Sequence, residues 1–130
     1  MNVVLLNPPG SRLYVRSYYC GATSKAGYLF QPIDLLMLSG RLAGEFEITV
    51  IDAIADRLGA DEAIEKISRF KADAVVCMVS VVSWDTDLQF LDRLKKNDPH
   101  VKIIANGDVF FEDPEKILAE CGCIDAIIFD

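Results

Sequence analysis

Ala74-Val75-Val76-Cys77-Met78-Val79 is an uninterrupted apolar run, and it decides the fold. A run of this kind, without alternating polar residues, is typical of a strand buried on both faces of a parallel sheet. Cys77 lies inside the run, so we expect it to be a core residue. The sequence therefore predicts that this strand, the third along the chain, lies near the middle of the sheet.

Strand-like and helix-like segments alternate on both sides of this run. Further strands are predicted over 2–7, 46–52, 101–105 and 126–129. Helices are predicted over 32–43 and 60–70, from residue 84 to the turn that holds Lys95 and Lys96, and over 114–120. Asp85 and Asp87 fall in the first turn of the third helix, where acidic residues match the helix dipole.

Strands joined by single helices form right-handed βαβ units and a parallel sheet. The second strand alternates apolar and polar residues, so we expect it at an edge, whereas the third belongs at the centre. The pattern predicts an α/β protein with a flavodoxin-like, three-layer, Rossmann-type fold. Its five-stranded parallel sheet has the order 2-1-3-4-5, and residues 1–130 form one domain.

Composition narrows the function classes. The chain has 130 residues, of which 52% are hydrophobic and 25% charged, as in a globular protein. A net charge of −7 argues against a nucleic-acid surface. No apolar run is long enough for a membrane span, and a strand begins directly after Met1, so we expect a cytoplasmic protein without a signal peptide. Cys121 and Cys123 lack a second pair and are a weak metal signal, so no metal site is predicted.

The loop after the first strand, residues 8–31, is the candidate functional segment. It carries +3 without any acid, so that the rest of the chain carries −10 to give the net −7. Loops at this position in parallel sheets face the ligand crevice, and tyrosine and arginine suit a flat ligand with anionic groups. We therefore predict a ligand or partner loop. Its candidate residues are Arg12, Tyr14, Arg16, Tyr18, Tyr19, Lys25 and Tyr28.

Several catalytic and nucleotide-binding interpretations fail. The loop after the first strand lacks a G-x-G-x-x-G or phosphate-cradling pattern. The single histidine, His100, precedes the fourth strand and so lies at the amino end of the sheet, away from the crevice. A Ser-His or Cys-His nucleophile pair is then impossible within one chain, and no catalytic residue is predicted.

Several segments together resemble a known family. Val3-Val4-Leu5-Leu6-Asn7-Pro8-Pro9, the long loop, the segment from Gln31 to Leu42, and Thr49-Val50-Ile51-Asp52-Ala53 are similar to the amino-terminal cobalamin-binding domain of radical S-adenosylmethionine enzymes. The segments from Ala72 to Ser80 and from Lys102 to Glu115 are similar as well. The family includes the anaerobic magnesium-protoporphyrin monomethyl ester cyclase and methyltransferases.

The resemblance implies cobalamin on the carboxyl edge of the sheet, bound without a protein histidine on cobalt because the Asp-x-His-x-x-Gly motif is missing. It also implies a downstream barrel that holds a [4Fe-4S] cluster and S-adenosylmethionine, which would make this chain a non-catalytic fragment. Carried onto this sequence, the cofactor-binding residues are Asn7, Pro9, Ser80, Val82, Ser83, Asn106, Gly107 and Asp108.

Two alternatives stay open. Asp108 places a negative charge where the nucleotide tail of cobalamin would run, which favours a degenerate domain that presents a substrate or binds another protein. A flavodoxin-like binder of flavin or nucleotide is the other alternative. The predicted partner is the downstream barrel or a second copy, because no helix follows the apolar fifth strand in this sequence and its edge would be bare.

Overall fold

A five-stranded parallel sheet forms the centre of the protein in a computed structural model that describes residues 1–129. Its strands are β1 (Asn2–Asn7), β4 (Glu47–Asp52), β5 (Ala74–Met78), β6 (Lys102–Asn106) and β7 (Ala126–Ile127). They lie in the order β4-β1-β5-β6-β7. Numbered along the chain within this sheet alone, that is the order 2-1-3-4-5, which confirms the prediction. Asp130, where the predicted domain ends, lies outside the described residues.

The register explains why the apolar run occupies the centre. β5 pairs with β1 on one side, Val4 opposite Val75, and with β6 on the other, Val75 opposite Ile103. Every residue of β5 is buried, and Cys77 is fully buried as predicted. β4 lies at an edge and is only partly buried, which also matches its alternating sequence.

Four helices cover the sheet: α1 (Ile33–Leu42), α2 (Ala60–Phe70), α3 (Trp84–Asn97) and α4 (Pro114–Glu120). On one face, buried residues of α2 and α3 pack against β1, β5 and β6, and α4 adds Ile117 at the margin. On the other face α1 packs through Leu35. These are the three layers of the predicted fold, and among residues 1–129 no helix is long and apolar enough to cross a bilayer.

The region between β1 and α1 contains structure that the sequence pattern does not indicate. β2 (Tyr14–Val15) and β3 (Ala22–Thr23) form an antiparallel hairpin, with Tyr14 opposite Thr23. Two-residue strands are too short to show a periodicity. The hairpin turns the long loop into an ordered layer over one end of the sheet.

Candidate functional site at the carboxyl rim

The carboxyl ends of β1, β5 and β6 lie side by side and form what we call the carboxyl rim. Four polar residues end these strands or lie in the turn that follows β5: Asn7, Ser80, Ser83 and Asn106. All four are buried. Polar side chains at this depth need hydrogen-bond partners, and most of those partners come from the loop and from the start of α3.

Arg16 is the residue that ties the loop to the rim. Its guanidinium donates from Nε to Ser83 Oγ and Asp87 Oδ2, both at 3.1 Å, and from Nη2 to Asp87 Oδ1 at 2.6 Å. Nη1 donates to Asn7 Oδ1 at 2.9 Å and to the Pro8 carbonyl at 3.0 Å. The side chains of Arg16 and Asp87 are both 0% exposed. The guanidinium predicted to face a ligand therefore meets a carboxylate of the chain itself.

Asp87 is the acceptor at the centre of this cluster. Besides Arg16, it accepts from Ser83 Oγ at 2.6 Å and from the Ser80 amide at 3.2 Å. Burial raises the pKa of Asp87, and Arg16 together with these hydrogen bonds opposes the rise. Asn7 extends the cluster to the edge strand, because its Nδ2 donates to Asp52 Oδ1 at 2.9 Å. We call Asn7, Arg16, Asp52, Ser83 and Asp87 the rim network.

Gly21, in the hairpin loop, makes a close approach to the rim. A methyl group at Gly21 would lie 1.7 Å from Ser80 Oγ and 3.1 Å from Asp108 Oδ2, so no larger residue fits there without a shift. Asp108 also accepts from the Val81 amide at 2.9 Å, which links the turns after β5 and β6. The loop thus fills the space directly above the strand ends.

Exposed apolar side chains lie in the three segments that meet at this contact. Tyr19 is 77% exposed and its ring lies 6.2 Å from that of Phe111, which is 44% exposed. Val81 and Val82, in the turn after β5, are 63% and 44% exposed. Single exposed apolar residues are common, but these four come from segments that meet at one contact, and clustered exposed apolar residues often mark binding surfaces. We call Tyr19, Val81, Val82 and Phe111 the rim platform.

The other loop candidates take different positions. Tyr14 is partly buried, and its ring lies beneath the Arg16 guanidinium at 5.2 Å. Tyr18 packs edge-on against Phe111 at 5.2 Å, and its amide donates to Asp34 of α1. Arg12, Lys25 and Tyr28 are exposed. The loop therefore contacts both α3 and α1, the helices on the two faces of the sheet. Some of its predicted binding residues remain exposed to solvent.

The remaining cofactor candidates lie at or below the rim. Pro9 is buried beside the end of β1. A methyl group at Gly107 would lie 1.8 Å from the Val79 carbonyl oxygen, so glycine is required there for backbone packing. Asn106 Oδ1 is buried and has no hydrogen-bond partner among residues 1–129, an uncommon state for a polar atom at this depth.

Sequence reasoning missed three contributors to this site. Asp87 and Asp52 belong to the rim network, and Phe111 belongs to the rim platform. In the sequence, Asp87 looks like an exposed acid in the first turn of a helix, where a negative charge matches the helix dipole. In the structure its side chain is fully buried against Arg16. His100 is exposed and lies between α3 and β6, at the opposite end of the sheet, as predicted.

A parallel sheet of this order, covered by helices on both faces, defines a flavodoxin-like α/β domain. The family described as "B12 binding domain" matches residues 19–130, and the chain belongs to that family. An uncharacterized methyltransferase of Pyrococcus horikoshii is 26% identical over 129 residues, which cover 98% of this chain and 26% of that protein. The chain thus spans about a quarter of that relative. No solved structure gives a significant match.

Proposed function

We propose that this chain is the cobalamin-binding domain of a methyltransferase or related radical S-adenosylmethionine enzyme and that the corrin lies on the rim platform. The single observation that carries this proposal is the platform itself, which gathers exposed apolar side chains from three segments at the end of the sheet. Membership of the B12-binding family supports the choice of ligand. When bound, cobalamin supplies a cobalt centre that can carry a methyl group.

The residues present fit the corrin on the outer side of the loop. Tyr19 and Phe111 offer an apolar, aromatic surface that suits the flat, methyl-bearing face of a macrocycle. The buried Asn106 Oδ1, which has no partner among residues 1–129, is an acceptor of the kind that an amide group of a corrin would satisfy. Ser80, Ser83 and Asn7 are buried and do not face a ligand on the platform.

Histidine has no part in this site. The chain has one histidine, and it lies at the amino end of the sheet. Cobalamin on the platform would therefore meet no imidazole from these 130 residues. The whole enzyme's cluster, S-adenosylmethionine and substrate belong, in this proposal, to a separate barrel domain.

Titration with hydroxocobalamin tests the proposal. We expect a shift in the visible spectrum and co-elution of the cofactor with the protein on gel filtration. Phe111→Ser removes an aromatic face of the platform and should weaken binding by about tenfold, since one aromatic contact contributes about 0.5–1.5 kcal/mol beyond the area it buries. Met37→Gln is the matched control, because Met37 is 66% exposed on α1 and outside the platform. Absence of a shift, with a normally folded wild-type chain, would remove the cofactor claim.

One observation favours a second candidate function, a module without cofactor that binds a protein or presents a substrate. The loop fills the space above the strand ends, and Asp108 holds a carboxylate beside Gly21. For this candidate the platform is a docking surface. A folded chain that fails to bind hydroxocobalamin, yet loses binding to its enzyme partner on Tyr19→Ser or Phe111→Ser, would support it over the first.

A further inference from the structure

Arg16 supplies several of the polar contacts that join the loop carrying Tyr19 to the rest of the molecule. Arg16 donates five hydrogen bonds, to Asn7, Pro8, Ser83 and twice to Asp87. The hairpin is short: Tyr14 pairs with Thr23 and Val15 with Ala22, and the Ser24 amide donates to the Leu13 carbonyl at 2.8 Å. A hairpin this short does not hold its position by itself.

We infer that Arg16 and Asp87 are positioning residues for ligand binding: their buried ion pair seats the hairpin so that the rim platform is assembled. The inference rests on the proposed function, since the platform is the proposed ligand surface. In the structure Arg16 contacts Asp87, Gly21 packs against Ser80, and the ring of Tyr19 lies beside that of Phe111. Neither charged side chain contacts a ligand, because both are fully buried.

The choice of residues supports a positioning role rather than simple core packing. A guanidinium has a planar fork that satisfies a carboxylate and further acceptors in one fixed orientation. An apolar side chain would fill the same space without fixing the direction of the hairpin. Arg16 also lies outside residues 19–130, the part of the chain that matches the family, whereas Ser83 and Asp87 lie within it.

Hydrogen exchange without any ligand tests whether the pair seats the hairpin. In Arg16→Met and in Asp87→Asn, one partner of a buried pair is lost, and we expect amides of residues 13–24 to exchange about 100-fold faster or more. Amides of α2 and β5 should keep their wild-type protection. Arg69→Met is the matched control, because Arg69 pairs with Glu65 on the surface and its loss should change neither region.

A second variant keeps the ion pair and disturbs the packing of the hairpin on Ser80 instead. Gly21→Ala adds a methyl group that would meet Ser80 Oγ, so it should raise exchange in residues 13–24 in the same way. Gly44→Ala is its control, because a methyl group there has no atom within 4 Å. Arg16→Lys keeps the charge without the fork, and we expect it to rescue part of the protection lost in Arg16→Met.

Cobalamin affinity then decides whether seating matters for binding. We expect Arg16→Met and Gly21→Ala to bind hydroxocobalamin about tenfold more weakly than wild type. The affinity of Arg16→Lys should lie between that of Arg16→Met and that of the wild type. The inference is overturned if protection falls in parallel in residues 13–24, α2 and β5, which would show a merely structural role. It is also overturned if the hairpin opens and affinity stays unchanged. If the wild type binds no cobalamin, the proposed function fails, and exchange alone decides whether the pair seats the hairpin.

Discussion

Two aspartates hold the two ends of the sheet, and they do so in different ways. Asp87, at the carboxyl rim, is fully buried against Arg16 of the loop. Asp125, at the amino end, is 25% exposed; it accepts from the Ile103 amide at 2.9 Å and from Lys95 and Lys102 at 2.7 and 3.2 Å. Both carboxylates meet cations, but only the one at the rim is removed from water.

The two pKa values move in opposite directions for this reason. Burial raises the pKa of Asp87 even though Arg16 opposes the rise. Burial would also raise the pKa of Asp125, but the Ile103 amide, Lys95 and Lys102 together lower it to about 2. A raised pKa means that the charged form of Asp87 is costly in the folded state, whereas the charged form of Asp125 stabilises it.

This difference separates a part of the molecule built for stability from one built for position. The Asp125 cluster joins α3, β6 and the turn before β7, and there the Ile103 amide and the two lysines together outweigh the desolvation of the carboxylate. Buried ion pairs such as Arg16–Asp87 are weak sources of stability, but they are strongly directional. At the rim, the desolvation of the buried pair is the cost of holding the loop in one fixed position.

The largest expected effect comes from breaking the rim's backbone packing. Gly107→Ala would place a methyl group 1.8 Å from the Val79 carbonyl oxygen, where no flexible side chain can yield. We expect the free energy of unfolding to fall by about 3 kcal/mol, at the upper end of the cost of overpacking. Gly122→Ala, in the turn before β7 at the amino end, meets no atom within 4 Å and should change it by less than about 0.5 kcal/mol.

Urea unfolding at neutral pH measures both variants. Equal losses at Gly107 and Gly122 would show that the two ends tolerate added volume alike, and the contrast between them would fail. An unchanged m-value is needed for the comparison, because it shows that the unfolded states expose the same surface.

A smaller effect is expected at the amino end, and it depends on pH. The folded pKa of Asp125, about 2, lies below the ordinary value of 3.8, so its contribution to stability is present above pH 4 and is lost as the pH falls toward 2. Asp125→Asn should lower the free energy of unfolding at pH 7 by about 1 kcal/mol, less than the full linkage value, because solvent screens the partly exposed carboxylate. The difference between variant and wild type should close between pH 4 and pH 2, as followed by urea midpoints. A difference that keeps its full pH 7 size at pH 2 would exclude the ionised carboxylate as its source.

The sequence predicts the frame of the molecule well because burial and periodicity are local signals. The uninterrupted run from Ala74 to Val79 predicts a central strand, and the alternation over 46–52 predicts an edge strand; the structure confirms both. Cys77 and His100 also lie where the pattern places them, in the core and at the amino end.

The rim network is not local, and the sequence does not reveal it. Arg16 and Asp87 are 71 residues apart in the chain. In sequence, Asp87 is indistinguishable from an exposed acid in the first turn of a helix, a position that the dipole favours. Only the close approach of the loop makes it a buried partner. The same holds for Phe111, which becomes part of the platform through its contacts with Tyr18 and Tyr19.

The smallest expected effect is at His100, and its smallness sharpens the contrast between the ends. His100 is exposed at the amino end, so His100→Ala should leave both the visible spectrum of protein-bound cobalamin and the dissociation constant unchanged. Phe111→Ser, at the rim, should weaken binding in the same titration. Because His100 is the chain's single histidine, a changed cobalt spectrum in His100→Ala would mean that its imidazole reaches cobalt. The ligand would then have to bind at the amino end, between α3 and β6, rather than on the platform.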